Sequence, residues 1–119
     1  MELRDFYDEI CESYDMLLRR LLSSERIEKY LKMFFDDNGI EDLKTQIINN
    51  DFESAINTAH TLKGVTATIG FEHLAADISE LHGVLNNNDT EKADMLCQHI
   101  VEEYVRIYKL WCSVHSNVI

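Results

Sequence analysis

The feature that most restricts the fold is the near absence of helix-breaking residues from this chain of 119 residues. Proline does not occur and glycine occurs four times, and these are the two least favourable residues in a helix interior. Apolar residues recur at spacings of three and four, the period of an amphipathic helix. A sandwich or barrel would need turns at short intervals. The sequence therefore predicts one all-α domain.

Two amphipathic helices are predicted in the first third of the chain. The first covers residues 3–22, and the second runs through Ile27 to Phe35, with a potential N-cap in Ser23-Ser24. Tyr30 is placed among the inward-facing residues of the second helix. The residues leave two roles open for the first helix: an additional helix packed on the bundle, or a dimerisation surface.

Similar start signals introduce the later helices. Asn38, Asn50 and Asn88 are each followed three residues later by Glu, in the form of a capping box with Asn as the capping residue. The predicted division of the chain is an N-terminal amphipathic helix in residues 1–24, a helical bundle in residues 25–114 and a loose tail in residues 115–119.

The stretch Ala59–Gly70, with the sequence AHTLKGVTATIG, is the most informative in the chain. It lies in a helix predicted over residues 51–69. Gly70 is expected to end this helix in a left-handed conformation, which glycine adopts without strain. Because the connection is short, the next helix should fold back antiparallel and form a helical hairpin.

His60 lies on the side of this helix that faces away from the core. At about 100° per residue, the apolar positions cluster roughly 100–180° from His60, so the imidazole should be exposed. The positions that share its stripe are predicted to bind a partner protein, and they are Ile56, Asn57, Lys63, Gly64 and Ala67.

The neighbours of His60 indicate a phosphate-handling site. Gly64 costs about 1 kcal/mol of helix stability relative to alanine, and folding gives no reason for it. It does allow the backbone of another protein to approach the imidazole. Lys63, one turn from His60, places a cation beside any anion that the ring carries.

At these residues the sequence resembles the histidine-containing phosphotransfer (HPt) domain of two-component phosphorelays. The resemblance rests on the motif at residues 59–64, on Gly70, on Leu74 and Leu81 in the following helix, and on the lead-in at residues 48–55. It covers about residues 25–112. It implies an antiparallel four-helix bundle with one or two additional N-terminal helices.

The resemblance also implies a mechanism. His60 would accept a phosphoryl group from a receiver-domain phosphoaspartate and pass it to the aspartate of another receiver. Lys63 would help to neutralise the phosphate, and Gly64 would give the receiver room. The family often presents a polar side chain, usually Gln or Glu, that steadies the imidazole, and His82 lies near that position.

The expected protein is a carrier without its own ATP site or cofactor. The Mg²⁺ for the reaction is expected on the receiver, and the expected partners are response-regulator receiver domains and a hybrid histidine kinase. A formal net charge of −11 argues against binding to nucleic acid or anionic membranes. Three cysteines without a close pair favour reduced thiols and a cytoplasmic location. A monomer is favoured over a dimer.

Two alternatives remain open from the sequence. The first is the phosphoacceptor domain of a chemotaxis-type kinase, which shares the His-Thr-Leu-Lys-Gly core and receives phosphate from an ATP-binding domain. The second is a binding-only helical bundle that docks receiver domains without transfer.

Overall fold

A computed structural model describes residues 1–115 and gives this part of the chain an all-α architecture without strands. The predicted fold class is confirmed. None of the helices described is both long and apolar enough to cross a membrane. There are seven of them: α1 (Leu3–Glu9), α2 (Tyr14–Leu21), α3 (Ser24–Asp36), α4 (Gly39–Ile48), α5 (Phe52–Thr68), α6 (Glu72–Asn86) and α7 (Thr90–His115).

Helices α4 to α7 form the bundle. Each packs on its neighbour in sequence, and α7 also packs on α4, so the four helices close into a ring. Connections of three residues join α4 to α5, α5 to α6 and α6 to α7. Such short connections require successive helices to run antiparallel. The predicted hairpin of α5 and α6 is thereby confirmed.

The N-terminal helices are attached to the bundle by aromatic packing. Phe6 of α1 contacts the rings of Phe71 and Trp111, at centroid distances of 6.1 and 6.2 Å. Phe35 of α3 stacks on Trp111 at 5.2 Å, and Phe34 lies edge-on to Phe71 at 5.7 Å. The segment before α4 therefore packs on the bundle, which was the first of its two predicted roles.

The single helix predicted over residues 3–22 is wrong. The chain turns at Cys11, which has a left-handed φ of 59°. The Cys11 and Glu12 amides donate to carbonyl groups of the last turn of α1, which is the Schellman arrangement of a helix end. Ser13 then caps α2 by accepting a hydrogen bond from the Met16 amide. The apolar spacing stays in phase across this break, so periodicity alone predicted one helix.

The turns of the bundle use residues with a left-handed backbone. Gly70 has a φ of 80°, which confirms its predicted role at the end of α5. Asn50 and Asn88 adopt the same conformation at the ends of α4 and α6, and Asn tolerates it better than most residues. The helix caps are the following residues, Asp51 and Asp89, whose side chains accept backbone hydrogen bonds.

The predicted capping pattern therefore needs correction. At two of the three sites the capping residue is the Asp that follows the Asn. At the third site, Asn38 is the N-cap of α4, but its side chain makes no capping hydrogen bond. Of the predicted tail, the structure describes only residue 115, whose backbone ends α7; residues 116–119 lie outside the described part, so that prediction stays a prediction.

Candidate functional site

The folding of α5 determines where His60 points. Asp51 caps the start of the helix by accepting a hydrogen bond from the Ser54 amide. Ala55, Ala59 and Leu62 are buried on the inner face. His60 lies on the opposite side and is exposed, as the helical spacing predicted. The imidazole is therefore open to a molecule that approaches from solvent.

The structure brings the other predicted residues of the stripe together around His60. Asn57 and Gly64 are exposed, and Ile56, Lys63 and Ala67 are half-buried. All five therefore reach the surface on the same side of α5. The stripe extends about 10 Å from His60 to Ala67, at 1.5 Å per residue.

Gly64 has no packing role in the fold. A Cβ atom built at this position would meet no atom within 4 Å outside its immediate helix backbone. Gly39 differs, because its Cβ would lie 2.8 Å from Leu62. Gly64 leaves a gap on the outer surface of α5, one turn from His60, that the fold itself does not require.

Lys63 carries the positive charge nearest to His60 along α5. Within residues 1–115 no ion pair joins Lys63 to a carboxylate. Residues three apart on a helix are neighbours on its surface. The ammonium group is therefore able to contact an anion on the imidazole without first breaking an ion pair.

His82 lies beside His60 on the neighbouring helix α6. The centroids of the two rings are 5.8 Å apart, with a tilt of 42° between their planes. His82 is half-buried, whereas His60 is exposed. The antiparallel hairpin therefore brings together two imidazoles that are 22 positions apart in the sequence.

A groove between α3 and α5 was not predicted from the sequence. Tyr30, predicted to face inward, is 36% exposed, and Met33 is 59% exposed. Both side chains border a largely apolar groove of about 500 Å³ that reaches the edge of Gly64. The sequence contained one sign of the groove. Tyr30 and Met33 lie one turn apart on α3, beside the stripe of residues that is buried. The groove is lined by Tyr30, Met33, Phe34, Asp37, Thr61, Gly64, Val65, Thr68 and Ile69.

The contact of Arg20 on α2 with the end of α5 was also not predicted from the sequence. The guanidinium Nη2 of Arg20 donates to the carbonyl oxygens of Ala67 and Thr68, at 2.9 Å each. These carbonyls lie at the C-terminal end of α5, where a cation interacts favourably with the helix dipole. Arg20 therefore fixes the end of the helix that carries His60 and adds a positive charge near Ala67.

One segment of the chain, residues 16–35, differs in charge from the rest. The segment 16–35 contains five of the 11 basic residues but only two of the 22 acidic ones, Glu25 and Glu28. This segment includes most of α2 and α3, which flank α5. This segment is thus net positive on a protein that is acidic overall, whereas the charged residue that lines the groove itself is Asp37. The five basic residues are Arg19, Arg20, Arg26, Lys29 and Lys32.

Chemically, the site offers a nucleophile and a docking surface. Neutral imidazole is nucleophilic near neutral pH, since its ordinary pKa is about 6.5. In the described part of the chain, no group of three or more His, Cys, Asp or Glu side chains is arranged to hold a metal ion.

Comparison with known proteins gives one match. The family model described as Hpt domain matches residues 29–108, which is more than half of the chain. No curated protein and no solved structure is significantly similar to the chain. The matched range contains His60, Lys63, Gly64 and His82, together with the α3 side of the groove.

Proposed function

Because the chain belongs to the Hpt domain family, we propose that it is a phosphorelay intermediate whose phosphorylated residue is His60. Hpt domains carry phosphoryl groups on histidine in two-component signalling. We assign the donor to the phosphoaspartate of one receiver domain and the acceptor to the aspartate of another. The donor receiver belongs to a hybrid histidine kinase, and the acceptor receiver belongs to a response regulator.

The chemical step needs little from this chain besides the nucleophile. A lone pair on one ring nitrogen of His60 attacks the phosphorus in line, and the bond from phosphorus to the aspartyl oxygen breaks. The aspartate leaves as a carboxylate, and the other ring nitrogen releases its proton, so that a phosphoramidate remains. Transfer to the second receiver reverses these events. Such transfers depend mainly on positioning and charge stabilisation.

Lys63 supplies part of the charge stabilisation. Its ammonium group, one turn from His60, offsets the negative charge of the phosphoryl oxygens. The Mg²⁺ that the reaction requires is assigned to the receiver domain, together with the aspartate. No ATP site is assigned to this chain.

The observation that carries the proposal is the combination of exposed His60 with Gly64. An exposed glycine in the interior of a helix is unfavourable by about 1 kcal/mol relative to alanine, and Gly64 contacts nothing that would require it. A partner whose backbone passes close to the imidazole explains the gap. The apolar groove beside Gly64 extends the contact area for that partner.

The test is a two-step transfer in vitro. A receiver domain labelled on its aspartate is incubated with the chain and Mg²⁺, and a second receiver is then added. The account expects label to pass through the chain to the second receiver with wild type but not with His60→Gln. His99→Gln is the matched control, because His99 is an exposed histidine on α7, outside the site.

Neither alternative expects label to pass from a receiver to the chain. A chemotaxis-type phosphoacceptor domain would take label from a kinase ATP-binding domain and not from a receiver. If the chain is a binding-only bundle, wild type and His60→Gln would bind the receivers equally well, and neither would take label. Each of these outcomes contradicts the proposed relay.

A further inference from the structure

The side chain of Asn86 contacts His82, one turn before it on α6. Its amide nitrogen Nδ2 lies 3.0 Å from the carbonyl oxygen of His82 and 3.4 Å from the ring nitrogen Nδ1. A carbonyl oxygen can only accept a hydrogen bond. The Asn86 atom beside it must therefore be the amide nitrogen and not the amide oxygen, and the orientation of the amide is fixed.

The contact between Asn86 Nδ2 and His82 Nδ1, at 3.4 Å, is a hydrogen bond in only one tautomer of His82. An amide nitrogen has two donor hydrogens and no acceptor, so its second hydrogen can be shared only with an unprotonated ring nitrogen. In that tautomer Nδ1 of His82 is the acceptor, the ring hydrogen lies on Nε2, and His82 offers a donor to its surroundings.

The ring of His82 lies beside the ring of His60, with 5.8 Å between the centroids. We infer that Asn86 is a positioning residue that keeps His82 in the Nε2–H tautomer, and that His82 donates through Nε2 to a phosphoryl oxygen on phosphorylated His60. This inference rests on the proposed function, since the acceptor oxygen exists only after His60 has been phosphorylated.

The hydrogen bond would act on the product of the transfer. A bond from a ring N–H to an anionic phosphoryl oxygen is charge-assisted and stronger than one between neutral groups. It stabilises the phosphorylated chain relative to the phosphorylated receiver. Together with the Lys63 ammonium group, it gives the phosphoryl group one partner from each helix of the hairpin.

This role differs from support of the imidazole, which was expected from the resemblance. To orient the imidazole of His60, the side chain at position 82 must accept a hydrogen bond from the ring N–H of His60. A Gln side chain contains both a donor and an acceptor, whereas an ionised Glu contains only acceptors. The variants His82→Gln and His82→Glu therefore distinguish the two roles, although both residues are usual at this position in the family.

The tautomer is measured first, by ¹⁵N NMR of the histidine rings in the unphosphorylated protein. The inference expects the Nε2–H pattern for His82 in wild type and a mixture of tautomers in Asn86→Ala. Asn87→Ala is the matched control, because the side-chain hydrogen bonds to His82 come from Asn86 and none in the described residues comes from the Asn87 side chain. An Nδ1–H pattern in wild type, or an unchanged pattern in Asn86→Ala, would overturn the inference.

The second measurement is the equilibrium partition of phosphate between a receiver and the chain. His82→Gln should stay within about twofold of wild type, and His82→Glu should shift the partition toward the receiver by roughly tenfold. The Nε2 resonance of His82 should also move when His60 is phosphorylated. Equal partition for Gln and Glu would overturn the donor role.

The two measurements distinguish failure of the proposed function from failure of the inference about Asn86 and His82. If wild type takes no phosphate from any receiver, the proposed function fails, and the hydrogen bond to the phosphoryl group fails with it. If wild type takes phosphate but His82 is an Nδ1–H tautomer, only the inference about Asn86 and His82 is overturned.

Discussion

Tyr7 on α1 donates a buried hydrogen bond of 2.6 Å to the carbonyl oxygen of Ile69, in the turn between α5 and α6. The two residues are 62 positions apart, and the Tyr7 ring is fully buried. Two further contacts reach the same end of the hairpin: the carboxylate of Glu12 accepts from the backbone amide of His73, and Arg20 binds the last carbonyls of α5. The N-terminal segment therefore holds the hairpin that carries His60.

The Tyr7→Phe substitution should destabilise the fold without changing its packing. It removes only the hydroxyl and leaves the Ile69 carbonyl oxygen without this partner, which typically costs about 1–3 kcal/mol for a buried group. The measurement is urea unfolding, with an unchanged slope and a lower midpoint. Tyr30→Phe is the control, because Tyr30 is 36% exposed and should change the midpoint little. Equal midpoints for wild type and Tyr7→Phe would show that the bond contributes nothing.

The same residue predicts how stability depends on alkaline pH. Burial raises the pKa of the Tyr7 hydroxyl far above its ordinary value of 10.0. Above about pH 10 the unfolded chain loses this proton while the folded chain keeps it, so unfolding becomes more favourable by up to about 1.4 kcal/mol per pH unit. Wild type should therefore lose stability more steeply above pH 10 than Tyr7→Phe does. Parallel stability curves for the two proteins would contradict this account.

Substitution of Gly64 should improve folding and impair transfer. Gly64→Ala is expected to raise the free energy of unfolding by about 1 kcal/mol, because alanine is the better helix former and the added Cβ meets open space. Both substitutions should slow transfer from a receiver. The larger Gly64→Gln should slow it more, because its side chain fills the gap beside His60. Gly83→Ala is the matched control, since Gly83 on α6 is also exposed and a Cβ there also meets open space. If both glycine positions affect transfer equally, the gap at Gly64 has no special role.

A charge in the groove should weaken receiver binding. Met33→Glu places a carboxylate on the largely apolar surface between α3 and α5 and should raise the dissociation constant roughly tenfold, as for a central interface residue. Isothermal titration calorimetry with a receiver domain measures the change. Met95→Glu is the control, because Met95 on α7 is similarly exposed, at 68% against 59%, and lies outside the groove. Similar losses for both variants would argue against docking in the groove.

Two local features of the site were predictable from the sequence. The exposure of His60 and the left-handed backbone of Gly70 follow from the helical period and from the conformational freedom of glycine. The break at Cys11 could not be predicted this way, because it interrupts the helix without interrupting the apolar period. Its left-handed residue is also neither Gly nor Asn.

Contacts between distant segments were not predictable. Arg20 lies 47 positions before the carbonyl of Ala67 to which it donates, and no pattern in the sequence links the two residues. The groove beside Gly64 likewise depends on how α3 packs against α5. Tyr30 was expected to face inward, and only the packing shows that Tyr30 and Met33 form an uncovered face of α3.

Whether His60 carries the phosphoryl group is tested by the stoichiometry of phosphohistidine at this residue. The chain is incubated with a phosphorylated receiver and Mg²⁺, and alkali-stable, acid-labile phosphate is then measured and mapped by mass spectrometry. We expect this phosphate to map to His60 in wild type and to be lost in His60→Gln. Phosphate that persists in His60→Gln, or wild type that takes none from its cognate receivers, would contradict it.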